Sequence, residues 1–150
     1  MVDNFGKSIA FVLDAEGGYV NNPDDPGGET NYGISKRAYP NIDIKNLSVG
    51  EAKDIYHRDY WLPSGCDKLA WPMCLVQLDT AVNMGVGKAN NIIRRVDSSY
   101  KGVNAYLAIR KDYYEAIAAM GSNARFLGGW LNRLGRLNKY IQSHKEATNG

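Results

Sequence analysis

From Ser48 onward, apolar residues recur three and four positions apart almost without a break. That spacing lines one face of an α-helix and is incompatible with the two-residue alternation of a half-buried strand. One apolar stripe runs through Ala52, Ile55, Tyr56 and Tyr60, and stops before Pro63. A second begins at Pro72, a favoured first helical position, and runs through Leu75, Leu78, Ala81 and Val82 to Gly85. A short helix is expected over 88–96, then another through Val103, Leu107, Tyr114 and Ile117, closed by Gly121. The last stripe is Leu127, Trp130, Leu131, Leu134, Leu137 and Ile141. Ser48 and Glu51 form a capping-box pair, with Leu47 before them as a staple. At the other end of the chain, Phe5, Ile9, Val12 and Leu13 predict a helix capped by Asp3 and ended near Glu16 by Gly17-Gly18. The chain is therefore read as mainly α.

The exception is Asp14–Ser35, "DAEGGYVNNPDDPGGETNYGIS". It is dense in Gly, Pro, Asn and Asp, which make turns. Tyr19-Val20 and Tyr32-Gly33-Ile34 are expected as short extended pieces of an irregular hairpin around Pro26-Gly27-Gly28.

At 150 residues the chain is expected to be one domain, large enough for a core without staples. No apolar run approaches the ~20 residues of a membrane span. Ile9–Leu13 is also too short for a secretory signal, so the chain is expected to stay in the cytoplasm where it is made unless something else releases it. The net charge of +2 is unevenly spread: residues 1–75 carry −4 and residues 76–150 carry +6. A basic half suggests an anionic partner. No nucleic-acid-binding signature accompanies it, so nucleic acid is not the expected partner. Cys66 and Cys74 are expected as free thiols, although a bond between them stays open; with His57 and His144 isolated they make no zinc site, and neither metal nor cofactor is expected.

The opening stretch crowds four acids, Glu16, Asp24, Asp25 and Glu29, among glycines. Glu16 stands where a helix ends against apolar neighbours. Burial on that side disfavours a charged carboxyl, the condition a general acid needs to protonate a leaving glycosidic oxygen. A second carboxylate, Asp24 or Asp25 on the turn, would stabilise positive charge on a sugar or activate water. Gly17 and Gly18 would let backbone approach a bulky sugar, and the Thr30 hydroxyl would hold a water. Against this, a Glu before Gly-Gly is often a plain surface residue, and Asp-Asp-Pro-Gly is an ordinary turn. Glu29 is read as a surface charge of the hairpin. Asp79 and Asn83 share a helix face, either buried and hydrogen-bonded or lining a cleft. Tyr32 is a candidate cleft floor. Tyr56 and part of Trp61 belong to the core, and His57 is a surface residue. Arg133, Arg136 and Lys139 are expected to point outward from the last helix, where they would attract an anionic partner.

"EGGYVNNPDDPGGETNYGIS" resembles the N-terminal signature of glycoside hydrolase family 108, the N-acetylmuramidases of phage endolysins and of bacterial protein release. The resemblance continues in "IKNLSVGEAKDIYHRDYWLPSGCDKL", in Val76–Gly85 and in "FLGGWLNRLGRL", and covers residues 8–87 and 103–141. It implies a lysozyme-like α fold, peptidoglycan glycan strands as substrate, a monomer, and Glu16 as the catalytic acid. Phage-type lysozymes space Glu, Asp and Thr by eight and then five residues. Here eight residues separate Glu16 from Asp25, but only four separate Asp25 from Thr30. Asp25 fits that pattern and Thr30 comes one residue early, so Asp24 stays open as the second carboxylate. The segment after the Met84-Gly85 helix, "KANNIIRRVDSSYKG", is shorter than in many members and implies a trimmed C-terminal lobe. A lytic transglycosylase, working with one Glu and no water, is the enzymatic alternative. A non-catalytic wall-binding module is the alternative of another class, and the presence of Glu16 argues against it.

Overall fold

The computed structural model describes residues 3–24 and 27–145. Its centre is a helix that shows almost no exposed face. α3 (Met73–Met84) is buried at every residue from Met73 to Ala81. A helix buried on all sides, its polar Gln77, Asp79 and Thr80 included, has to be wrapped by others, and α3 is. α1 (Asn4–Glu16), α4 (Val86–Ile93) and α5 (Val103–Ala118) pack on it, and α6 (Leu127–Ser143) closes over α1 and α5. α2 (Val49–Tyr56) continues into a π-helical turn, His57–Trp61, which also reaches α3. The fold is mainly α and lysozyme-like, with one small hairpin near the N-terminus.

Local chemistry sets the ends of these helices. Asp3 accepts from the Gly6 amide at 2.6 Å and caps α1. Gly17, at φ 78°, ends it in a conformation that L-residues avoid. Ser48 and Glu51 make both bonds of the capping box, each 3.1 Å. Pro72 stands just before α3 rather than inside it, and the helix expected over 88–96 runs over Val86–Ile93.

The hairpin differs from its expected form. β1 (Thr30–Asn31) pairs antiparallel with β2 (Ile34–Ser35), so Tyr32-Gly33 is the turn, not an extended segment. Both turn residues have positive φ, 53° and 80°, the twist that two-residue hairpins favour. Val20 pairs with Thr30 through two 2.8 Å hydrogen bonds. Asn31 and Ile34 face inward, and the Asn31 amide donates to the Ile44 carbonyl at 3.0 Å. Thr30 and Ser35, paired opposite each other, lie on the outer face.

Cys66 and Cys74 are free and buried. Burial pushes their thiols up, to about 12 and about 11. No helix among the described residues is long and apolar enough to cross a membrane.

Candidate active site

Glu16 is the last residue of α1, and its side chain is 22% exposed. Two neighbours hold it. Gly33, at the tip of the hairpin turn, packs so tightly on its stem that a Cβ there would lie 2.8 Å from Glu16 Cγ and 2.9 Å from Glu16 Cβ. The same Cβ would lie 2.7 Å from the Tyr56 hydroxyl. That hydroxyl donates to the Tyr32 carbonyl at 2.6 Å and pins the left-handed turn to α2. Burial, with the Glu16 carboxylate beside it, pushes the Tyr56 hydroxyl well above its ordinary value, so it remains a donor. Gly33→Ala is expected to lose activity through both the strained φ and the displaced Glu16 stem. The measurement is kcat beside Tm: a variant with wild-type kcat would show that Glu16 tolerates the shift.

The second neighbour is Arg133. Expected on the surface, it is instead buried in the interior, at 7% exposure. Its Nη1 meets Glu16 Oε1 at 2.9 Å. Its Nε and Nη2 donate to Asp79 Oδ1 at 3.1 and 2.7 Å. The reversal has a plain cause: Asp79 is fully buried in α3, and an ionised carboxylate in that position needs a buried cation. Arg110 of α5 supplies another, with Nη2 2.8 Å from Asp79 Oδ2. This contact is an ion pair rather than an aligned hydrogen bond. Arg110 also donates to the Tyr114 hydroxyl at 2.8 Å and to Thr80 Oγ1 at 3.1 Å.

Four charges thus alternate across four helices: Glu16 on α1, Arg133 on α6, Asp79 on α3, Arg110 on α5. Burial alone would raise the Asp79 carboxyl; the two guanidiniums outweigh it and hold it below the usual range. Burial likewise works against the Arg133 charge, and Asp79 and Glu16 together more than reverse that. Arg133 occupies Glu16 Oε1, and among the described residues Oε2 has no hydrogen-bond partner.

The other sequence candidates fall as follows. Asn83, half-buried near the end of α3, accepts from the Tyr114 hydroxyl. Tyr114 stacks on Trp130 with ring centroids 5.1 Å apart, and Phe126 follows Trp130 at 5.8 Å. This row of rings was not singled out from the sequence, where Trp130 read as part of an apolar stripe. Gly17 and Gly18 are exposed, with open space where a Cβ would stand. Tyr32 is half-buried in the turn above Tyr56. Thr30 is half-buried on the outer face of β1. Glu29 accepts from the Tyr19 hydroxyl at 2.7 Å and is half-buried on the hairpin. Asp24 is exposed, its amide bonded to Asn22 Oδ1 at 3.0 Å. Asp25 lies outside the described residues. His57, expected at the surface, is half-buried, edge-on to Phe5 at 4.9 Å. No three His, Cys, Asp or Glu side chains converge as metal ligands among the described residues.

Three comparisons bear on this arrangement. The family model described as Glycosyl hydrolase 108 matches residues 9–85, which include Glu16, the hairpin and Asp79 but neither arginine. Among solved structures the chain is similar to Brucella abortus SagA, at 28% identity and a TM-score of 0.70. That likeness covers 96% of this chain and 97% of SagA. No curated protein matches the chain.

Proposed function

The chain belongs to the glycosyl hydrolase 108 family, and from that premise we propose that it is an N-acetylmuramidase. It is a glycoside hydrolase by family, with peptidoglycan as the substrate class. The finer reading is cleavage of the β-1,4 bond between N-acetylmuramic acid and N-acetylglucosamine, by one muramidase domain acting as a monomer. The observation that carries it is Glu16: a half-buried carboxyl at a helix end, one oxygen fixed by Arg133 and the other open.

In this mechanism Glu16 Oε2 carries the proton to the glycosidic oxygen as the bond to the sugar breaks. General acids of this kind contribute roughly 10²–10⁴-fold. The cationic sugar that develops needs a carboxylate or an activated water on its other side. Asp25, or Asp24 beside it in sequence, takes that role, with the Thr30 hydroxyl orienting the water. An inverting course suits a carboxylate carried on a loop, which need not close to the ~5–5.5 Å of a retaining pair. Gly17, Gly18, Tyr32 and Asn83 border the sugar. Host-cell lysis is the corresponding biological role.

Digestion of purified peptidoglycan, with products weighed by mass spectrometry, tests the reaction. Fragments ending in an intact reducing N-acetylmuramic acid are expected. Fragments one water lighter would replace the hydrolase with a transglycosylase and remove Asp25 from its role. An intact substrate would leave the wall-binding alternative.

A further inference from the structure

α1 and α6 are tied at two points. At one, Arg133 meets Glu16; at the other, the Tyr140 hydroxyl donates to the Lys7 carbonyl at 2.8 Å. Between the ties lies an open groove of about 370 Å³. Phe11, Asp14 and Ala15 line its α1 side, and Arg136, Lys139 and Tyr140 line its α6 side. Arg136 and Lys139 are exposed and have no ion-pair partner among the described residues. They also line a neighbouring hollow of about 590 Å³, where Gly129 and Gly135 leave room and Asn132 adds an amide. The groove begins beside the last turn of α1, whose final residue is Glu16 itself.

We propose that this groove holds the stem peptide of the glycan, with Arg136 and Lys139 binding its carboxylates. The proposal rests on the muramidase reading and extends it from the sugar to the peptide. Charge and length both fit. A stem carries carboxylates along an otherwise small, apolar chain, and a free diamino acid adds an ammonium, for which Asp14 is the counter-charge across the groove. From Arg133 to Ser143, α6 spans about 15 Å, and an extended pentapeptide spans about 17 Å. A stem leaving a muramic acid at Glu16 is therefore long enough to lie along the groove. The proposal also accounts for a side of α6 on which small and basic residues replace the apolar stripe.

The test compares glycan strands bearing stems with the same strands stripped by an amidase, on wild type and on the double variant Arg136→Ala, Lys139→Ala. Both side chains are exposed, so the fold is expected to survive, and an unchanged Tm confirms it. Wild type is expected to show kcat/KM about fivefold or more higher on stem-bearing strands, through KM, the size of effect two partly exposed charges supply. The double variant is expected to lose that preference while cleaving stripped strands at the wild-type rate. A wild type indifferent to stems, or a double variant that keeps the preference, overturns the proposal. If neither substrate is cleaved, the muramidase reading fails on its own. Calorimetric binding of a disaccharide-pentapeptide against the bare disaccharide then decides the groove: equal affinities overturn it, and a stem-dependent gain lost in the double variant upholds it.

Discussion

Glu16→Gln is expected to lower kcat on peptidoglycan by about 10²–10⁴-fold, the share a positioned general acid contributes. The substitution keeps the shape of the side chain and leaves an amide oxygen for Arg133 to donate to. It removes the group that exchanges a proton with the leaving oxygen and, in its ionised form, the charge that pairs with Arg133. Arg133 retains Asp79, so the buried cation does not lose its partner. Tm is therefore expected to move by only a few degrees, as one partly exposed ion pair is weakened. Reducing-end release beside a thermal melt separates the two effects. A variant that hydrolyses at the wild-type rate would remove Glu16 from the chemistry. A variant that fails to fold would show that the pair with Arg133 is structural.

Asp79→Asn is expected to act in the opposite way, on the fold before the chemistry. Asp79 is fully buried and neutralises two guanidiniums, Arg110 at 2.8 Å and Arg133 at 2.7 Å. Without its charge Arg110 has no anion among the described residues, and Arg133 has Glu16 alone. Breaking a buried pair by removing one partner costs about 3–5 kcal/mol. For a chain of this size that is a Tm loss on the order of 10 °C. The pH dependence follows from the sign of the shift. The two arginines hold the folded Asp79 carboxyl below its ordinary value, despite burial. A depressed folded value means stability that is present above the unfolded value of about 4 and lost as pH falls through the folded one. The difference in Tm between wild type and Asp79→Asn should therefore be widest near neutral pH and narrow in acid. A gap that stayed constant down to pH 2 would mean that Asp79 is not held as a carboxylate. Activity should also fall, because Arg133 would no longer be anchored on the side away from Glu16.

These two residues also divide what a linear reading reaches from what it does not. Glu16 was legible because everything that defines its place is local: an Asp3-capped helix, an apolar stripe, and a Gly17 that stops the helix one residue later. Asp79 was legible only as a choice, buried or cleft-lining, because its partners lie 31 and 54 residues further on. Arg133 was misread as outward-facing. In sequence it sits among Arg136 and Lys139 and shares their basic character, although it alone of the three stands four and eight positions before Leu137 and Ile141, on the face that α6 buries. The hairpin was placed in the right region with its turn in the wrong spot. Pro26-Gly27-Gly28 is the stronger turn signal by composition. The paired strands nevertheless turn at Tyr32-Gly33, where the Tyr56 hydroxyl from another helix holds the Tyr32 carbonyl.

The sequence by itself determined the helices and their ends, since caps, glycines and a 3.6-residue stripe act over a few neighbouring residues. It also placed an acid at the end of the first of them. Only the tertiary structure decided what that acid touches. A buried carboxylate on α3 draws two arginines inward from α5 and α6, and the nearer one reaches across 117 positions of chain to Glu16. The reason is the cost of leaving a charge unpaired away from water, which falls on whichever cation the packing brings within reach.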